Sequence, residues 1–532
     1  MSRFFKSSYY LFMENQNKNI PAVQPEQATQ TRRDAIKSLT SALSGATLLR
    51  ASGATLLGAS GAALLGINSS AEANNAGPIV KTREFNATGA KLTGRLVTPT
   101  SATYENDRLG WDKYFSTYPS VICYVQNTDD VANALAWSRE TGTAMRVRAG
   151  GHCLEGWNSV TGGITIDVSS LKNIKLDKEN MTATVGTGVN QGELWAALAG
   201  TGLGFPTGEA DTVGLGGVLL GGGIGVLAAS YGVACDNLLA VEMVIASGKT
   251  GASVIHADLN QNSDLLWACR GGGGGNFGIT TSYTVQLHPI TPKVVVWGIT
   301  WPFAAFQDAF EAWQSWAPTA DTRLGSTFNI IPPQTASQEV QVDGIFVGTE
   351  AELGDLLSPL TKIPGAQVKK AFRTFAENFV ITNADPEPAT NWLFRSSWTY
   401  KKLPKEALDI VVDFMKRTPN KDCAWWSLSW GGKVRTPPKG GSAFFHRDAL
   451  YYSEPGVGWT DPSQTSACIA WSRAFGTAMR AYTQGSYVNV PDRAITDWGN
   501  AYYGTNFDRL KTIKSKYDPN EVFKFEQSIP LA

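Results

Sequence analysis

Three glycine runs, each set between apolar strand-like stretches, constrain this chain more than any other feature. The first is Arg146-Val147-Arg148-Ala149-Gly150-Gly151-His152-Cys153-Leu154-Glu155-Gly156, which also holds two arginines and one of only four histidines. The second runs from Thr212-Val213-Gly214-Leu215-Gly216-Gly217 through Leu220-Gly221-Gly222-Gly223-Ile224-Gly225. The third is Gly271 through Gly275, followed by Asn276-Phe277-Gly278-Ile279. Lacking a Cβ, glycine lets backbone N–H groups come close to an anion, and nearby arginines add charge that suits phosphate. Runs embedded in well-patterned apolar segments are poor candidates for flexible linkers. They predict a surface where backbone approaches something flat or phosphorylated.

Two common nucleotide motifs fail on spacing. A G-x-G-x-x-G starting at Gly214 meets Leu219 at its last position, and one starting at Gly221 meets Val226. Gly248-Lys249-Thr250 lacks the upstream glycine of a P-loop, because Met243 stands there.

Around these runs the chain is long enough for a large core. It has 532 residues, 43% of them hydrophobic and 17% charged, which suits two or three domains. A formal net charge of zero argues against a dedicated nucleic-acid binder. Seventeen tryptophans suit an apolar pocket or a carbohydrate-facing cleft, and equally an ordinary core.

The first 73 residues read as a leader. Thr31-Arg32-Arg33-Asp34 opens a small-residue apolar tract with a repeat of period eight, Gly45-Ala46-Thr47-Leu48-Leu49, Gly53-Ala54-Thr55-Leu56-Leu57 and Gly61-Ala62-Ala63-Leu64-Leu65, ending at Ala71-Glu72-Ala73. Paired arginines, an apolar tract and an A-x-A site predict a twin-arginine export signal cleaved after Ala73, and hence a periplasmic or extracellular protein. Arg50 and the many Gly, Ser and Thr residues make the tract a poor permanent span. The six cysteines, Cys123, Cys153, Cys235, Cys269, Cys423 and Cys468, form no C-x-x-C pair and no metal site. An oxidising compartment would permit one or two disulfides, which the sequence does not assign.

Strand and helix patterns then alternate. Residues 121–125, 145–148, 163–168 and 182–186 predict strands; Asp129 to Arg139 and Gln191 to Leu198 predict helices. Beyond Pro292, short strands such as 294–299 interleave with helices over Ala304 to Trp316 and Pro404 to Arg417.

The order Arg-Ala-Gly-Gly-His, Thr-Val-Gly-x-Gly-Gly, Leu-Gly-Gly-Gly-Ile-Gly, Cys235-Asp236-Asn237-Leu238 and Asp264-Leu265-Leu266-Trp267-Ala268-Cys269-Arg270, closed by Tyr502-Tyr503-Gly504-Thr505-Asn506-Phe507 and Tyr517-Asp518-Pro519, resembles the berberine-bridge-enzyme-like flavin oxidases. These belong to the vanillyl-alcohol-oxidase, or PCMH-type, flavoprotein superfamily. The resemblance covers about Tyr104 to Leu531. It implies an α+β fold: a two-subdomain PCMH-type FAD-binding domain with an inserted substrate domain of antiparallel sheet plus helices. The expected boundaries are leader 1–73, linker 74–103, FAD domain 104–291, substrate domain 292–482 and a returning segment 483–532. Residues 391–400 and Phe445 to Tyr451 look like strands of the substrate domain.

Residue by residue, His152 matches the histidine that bonds covalently to the flavin, and Arg148, Gly150 and Gly151 match the pyrophosphate loop. The same resemblance places Ala149, Val213, Gly214, Gly216, Gly217, Gly222, Gly223, Ile279, Tyr503 and Asn506 at the FAD. The cysteine that many members use as a second tether is Ala210 here, so His152 is expected to be the sole covalent link. Val213 is small at a position that governs oxygen access, which implies molecular oxygen as oxidant and hydrogen peroxide as product. The tyrosine ending the Tyr-x-Asn-Tyr of alcohol and sugar oxidases is Val490 here, in Tyr487-Val488-Asn489-Val490. Valine cannot titrate, and strand alternation would turn Tyr487 away from position 490. Tyr400, Tyr451, Tyr452 and His446 are therefore the candidate bases. Two functions follow: an exported oxidase of a small-molecule carbohydrate or secondary alcohol, or a secondary-metabolite tailoring enzyme acting on a cyclic, phenolic or amine substrate.

Overall fold

The structure of the protein is a computed structural model, which describes residues 83–85, 89–290, 293–330, 339–374 and 390–532. The expected leader lies outside the described residues. No helix among those described is long and apolar enough to cross a membrane.

The described chain begins with β1 (Arg83–Phe85), which pairs far along the chain. A four-stranded sheet follows, made of β2 (Arg95–Val97), β3 (Val121–Tyr124), β4 (Met145–Arg148) and β5 (Ile164–Asp167), in the order β2-β3-β5-β4. Both β3 and β4 run parallel to β5, so a crossover helix is required between β3 and β4. That helix is α1 (Thr128–Thr141). The Asn127 side chain caps it by accepting the Asp130 N–H, and Gly142 ends it in the left-handed conformation. The parallel strands deliver the first glycine run at the end of β4.

An antiparallel six-stranded sheet forms the second layer. It combines β6 (Ile174–Asp177), β7 (Thr182–Gly186), β8 (Leu238–Ser247), β9 (Gly251–Ala257), β10 (Ile279–Gln286) and β1, in the order β1-β9-β8-β10-β7-β6. Helix α2 (Gln191–Leu198) carries a reciprocal capping box between Asn190 and Glu193. A short helix, α3 (Leu215–Gly221), occupies the first half of the second glycine run.

An eight-stranded antiparallel sheet covers this pair. Its strands are β11 (Lys293–Pro302), β12 (Leu324–Ile330), β13 (Glu339–Phe346), β14 (Gln367–Thr374), β15 (Asn391–Phe394), β16 (Ser397–Thr399), β17 (Cys423–Ser429) and β18 (Tyr451–Trp459). The order is β14-β11-β13-β12-β17-β18-β15, with β16 also on β18. One face packs on α4 (Phe306–Trp316), α5 (Lys405–Lys416) and α6 (Thr465–Met479) through Trp297, Phe310, Trp313, Phe328, Trp425 and Phe475. Many of the tryptophans thus serve this core. All six cysteines are free, and all but Cys153 are buried.

The segment Phe445 to Leu450 is not a strand as expected; β18 begins at Tyr451. Just ahead of it, the N–H groups of Ala443 and Phe444 donate to the carbonyls of Trp267 and Arg270, so this stretch pairs with the helix end that leads into the third glycine run and not with the sheet. Gly271, at φ +112°, makes that pairing possible, because a Cβ there would overlap the Phe444 backbone.

Candidate active site

Arg148 closes β4 and is buried, at 5% exposure. Its Nε donates to Asp167 on the neighbouring strand β5, and its Nη2 donates to the Tyr124 hydroxyl at 3.2 Å. Tyr124 in turn donates to Asp107 at 2.7 Å; burial, aided by that carboxylate, pushes its phenol up to about 12. Arg148 Nη1 is left buried with no hydrogen-bond partner among the described residues. An unpartnered guanidinium N–H costs free energy unless an anion meets it.

A cavity of about 460 Å³ opens against this guanidinium. Arg148, Ala149, Gly150, Gly151 and His152 line it together with Gly110, Trp111 and Thr212. Gly150 and Gly214 lie backbone to backbone, so a Cβ on either would collide with the other's main chain. The His152 ring stacks on Trp111, with centroids 5.1 Å apart and an interplanar angle of 21°, and Trp111 stacks in turn on Trp392 at 5.7 Å. An aromatic ladder therefore joins the first glycine run to strand β15. An FAD fits these donors: Arg148 Nη1 and the N–H groups of the glycine loop suit its pyrophosphate. Gly217, beside which a Cβ would meet nothing within 4 Å, leaves room for a flat ring.

Other positions expected at the FAD also bring protein segments close together. Spaces beside Gly222 are taken by Tyr487 and Phe444, and beside Gly223 by Ala234. Tyr503 donates to the Gly272 carbonyl at 2.9 Å, Asn506 to the Ala443 carbonyl at 3.1 Å, and Ile279 is buried in a core cluster. Much of the second and third runs thus lets protein segments approach one another, and these five residues are not among those lining the cavity.

A second cluster lies where the 483–532 segment meets the eight-stranded sheet. The stretch read as an alternating strand, 487–490, is a turn closed by the Val490 N–H donating to the Tyr487 carbonyl. The turn points Tyr487 inward, so the earlier reason for discounting it fails. Its hydroxyl oxygen accepts the Gly223 N–H at 2.7 Å and the Asn489 Nδ2 at 2.9 Å. Tyr452 packs edge-on against it, with ring centroids 6.0 Å apart, and donates to Glu454 Oε2 at 2.5 Å. Burial pushes Glu454 up to about 7.

The remaining candidate bases are held elsewhere. Tyr451 faces the helical layer, where its hydroxyl donates to Gln314 Oε1 at 2.9 Å, because alternation sends it opposite to Tyr452. Its placement in the core corrects its candidacy. His446 Nε2 donates to the Ala501 carbonyl at 2.9 Å and its Nδ1 accepts from Tyr400 at 2.7 Å, which fixes a neutral ring. Burial pushes this imidazole down to about 4, so it is a weak proton acceptor at neutral pH. Tyr400 and His446 brace each other. Glu454 and Asn489 were missed; the alternation Tyr452-x-Glu454 was the one signal available for the carboxylate.

Family models agree with both halves of this site. One described as FAD binding domain matches residues 119–251, and one described as Berberine and berberine like matches residues 486–530. The chain is 40% identical over 447 residues to an uncharacterized FAD-linked oxidoreductase of Bacillus subtilis, YvdP, covering 83% of this chain and 98% of the relative. It is 29% identical over 475 residues to the aclacinomycin-N/aclacinomycin-A oxidase of Streptomyces galilaeus, covering 79% and 86%. Among solved structures, Physcomitrella patens BBE-like 1 matches with a TM-score of 0.76 at 25% identity, covering 84% of this chain and 98% of that one. A glycopeptide hexose oxidase complexed with teicoplanin matches with a TM-score of 0.73 at 26% identity, covering 82% and 98%. With its α+β architecture of two FAD-binding layers beneath an antiparallel sheet, the chain belongs to the berberine-bridge-enzyme-like family of FAD-linked oxidoreductases, in the PCMH superfamily.

Proposed function

We propose that this FAD-linked oxidoreductase is an exported oxidase that removes hydride from a carbohydrate or other secondary alcohol and returns the electrons to molecular oxygen as hydrogen peroxide. Bound FAD supplies the hydride acceptor, and His152 is its sole covalent tether, since Ala210 offers no second nucleophile. The observation that carries the reading is the environment of the Tyr487 phenol. Burial holds this phenol above the ordinary tyrosine value, and the two N–H donors that converge on its oxygen oppose the burial and favour the phenolate. Tyr487 is the base that takes the substrate hydroxyl proton. The Tyr452–Glu454 pair beside it holds a second proton at a carboxyl poised near 7.

Small Val213 supports oxygen access, and the similar hexose oxidase supports a sugar substrate. Arg32-Arg33 and Ala71-Glu72-Ala73 support export to the periplasm or beyond. The similarity to an aclacinomycin oxidase favours a second reading, a tailoring enzyme for a cyclic secondary metabolite. Peroxide release, measured over a panel of sugars, secondary alcohols, phenols and amines, separates the two. A flavin that is reduced by substrate and stays reduced in air would defeat the oxidase reading. Recovery of the uncleaved chain in the cytoplasmic fraction alone would defeat export.

A further inference from the structure

Asp236 and Arg447 meet where the FAD-binding layers adjoin the eight-stranded sheet. Arg447, in the loop ahead of β18, donates through Nη2 to Asp236 Oδ1 at 2.7 Å and through Nη1 to Oδ2 at 3.0 Å. The two side chains are 9% and 6% exposed, so this is a two-point ion pair held away from water. Arg447 Nη1 also donates to the Val434 carbonyl at 2.8 Å. Taking two charges out of water offsets most of what their attraction gains. A pair of this kind is better explained by what it holds in place, and neither residue lines the cavity at Arg148.

What it holds is a donor to Tyr487. Asp236 belongs to a single helical turn, Ala234–Asn237, which grips the second glycine run. The Ala234 N–H donates to the Gly223 carbonyl at 2.9 Å, and the Cys235 N–H to the Gly222 carbonyl at 2.7 Å. The Gly223 N–H in turn donates to the Tyr487 hydroxyl oxygen at 2.7 Å. Gly222 and Gly223 follow the end of α3 with φ of +147° and +79°, so no regular element fixes their direction. The turn bonded to their carbonyls sets where the Gly223 N–H points. Arg447 acts from the other side, because its loop carries Phe444: a Cβ on Gly222 would lie 3.1 Å from Phe444 Cε2 and 2.9 Å from the Tyr487 hydroxyl. The ion pair therefore ties together the two segments that hold Gly222 and Gly223 between them.

We infer that Asp236 and Arg447 are positioning residues for the reaction: by fixing the 234–237 turn against the 443–448 loop, the pair aims the Gly223 N–H at the Tyr487 oxygen. This role rests on the reading of Tyr487 as the base that takes the substrate hydroxyl proton. To act so, Tyr487 must first lose its own proton, and the Gly223 N–H then donates to an ionised oxygen, a bond roughly twice as strong as a neutral one. A donor turned aside lowers the phenolate population, and with it the rate, while touching neither substrate nor flavin. The Asn489 amide, anchored separately on the Val218 carbonyl at 3.0 Å, still donates to the phenol, so the loss is partial.

The test is a cycle of the flavin-loaded wild type, Asp236→Asn, Tyr487→Phe and the double variant, with flavin content and thermal midpoint as checks of folding. Hydrogen–deuterium exchange read by mass spectrometry follows the peptide carrying Gly223 without any substrate. Each single substitution should speed exchange there, the double variant should exchange no faster than the faster single one, and helix α1 should exchange as in wild type. Anaerobic stopped-flow reduction is then measured with D-glucose, cellobiose and cyclohexanol. With whichever of these bleaches the flavin, Asp236→Asn should cut the limiting rate by about ten- to a hundredfold, the range for one hydrogen bond to an ionised oxygen, at unchanged substrate affinity. In the Tyr487→Phe background the same substitution should change the rate by no more than about twofold. An equal fractional loss in both backgrounds, weakened binding with an intact limiting rate, or unchanged exchange around Gly223 overturns the positioning role alone. Reduction at the wild-type rate by Tyr487→Phe sinks the base reading, and the positioning role with it. If none of the three compounds bleaches the flavin, the exchange cycle decides by itself. If Asp236→Asn does not hold flavin, Arg447→Lys, which keeps the charge and gives up the two-point contact, takes its place in the cycle under the same outcomes.

Discussion

The hydroxyl oxygen of Tyr487 accepts the backbone N–H of Gly223 at 2.7 Å, joining the C-terminal segment to the second glycine run. The bond fixes a phenol beside the glycine surface while leaving its own proton mobile. Tyr487→Phe keeps the ring and removes only this oxygen. Flavin reduction by substrate should fall by about 10²- to 10⁴-fold, the usual contribution of a positioned acid or base. Bound flavin should stay near wild-type, as measured by absorbance after desalting. A variant reducing flavin at the wild-type rate would remove Tyr487 from the chemistry.

Glu454 gives the pH dependence its sign. Its carboxyl sits near 7 and, when ionised, accepts the hydrogen bond of the Tyr452 hydroxyl. The flavin-reduction rate should therefore climb as pH rises through about 7. Glu454→Gln should flatten that limb, whereas a merely structural role would lower the rate at every pH alike. Stopped-flow reduction between pH 5.5 and 8.5 distinguishes these outcomes.

How much of this was legible in the sequence depended on whether the signal was local. The loop at Arg148 to His152 was, because glycines, arginine and histidine lie together at a strand end. Helix α2 was also, because its capping box and apolar spacing are contained in one stretch. Tyr451 and Tyr452 were both legible as strand residues, but which of them faces the helices is decided by the packing of α4 behind the sheet. Tyr487 was misjudged because Tyr-Val-Asn-Val has the alternation of a strand, while the chain there closes a turn and spends the Asn489 amide on the phenol. The crowding of Gly222 and Gly271 was hidden too. Their neighbours, Tyr487 and Phe444, are distant in sequence, and a glycine run looks the same whether ligand or protein fills the space beside it.

The stack between His152 and Trp111 makes its own prediction. His152→Ala should abolish flavin fluorescence on a denaturing gel while leaving some flavin bound in the native protein. Trp111→Leu removes the ring that orients the imidazole and should lower the covalent fraction without eliminating it. Covalent flavin on a Cys153 peptide, found by mass spectrometry, would refute the histidine assignment.

Gly150→Ala probes the close approach of the two glycine loops. A methyl group at 150 would overlap the Gly214 backbone, and backbone cannot swing aside as a side chain can. Both loops must part, which would also displace the Arg148 end of the cavity. Little folded, flavin-loaded protein should be recovered. Gly354→Ala, whose methyl would meet only the Lys370 Nζ at 3.9 Å and which lies outside the FAD-binding layers, is the matched control and should fold normally. Equal recovery of the two variants would show that the loops tolerate separation.

Asp112, next to Trp111, tests electrostatics at the same place. It is 3% exposed and accepts the Tyr114 N–H at 2.9 Å and the Trp392 N–H at 3.2 Å through one oxygen, while its other oxygen is buried and unpaired. Burial pushes the carboxyl up to about 7, against those two N–H donors. Because the folded value is raised above the unfolded one near 4, the folded chain holds the extra proton between them. That stabilisation is complete below about pH 4, declines as pH rises to about 7 and is gone above it. At about 1.4 kcal/mol per unit, the effect amounts to a few kcal/mol at most. Asp112→Asn cannot ionise, so the difference in melting temperature between variant and wild type should move in the variant's favour from pH 5 to pH 8. A difference that stays constant across that range would mean Asp112 is ionised throughout.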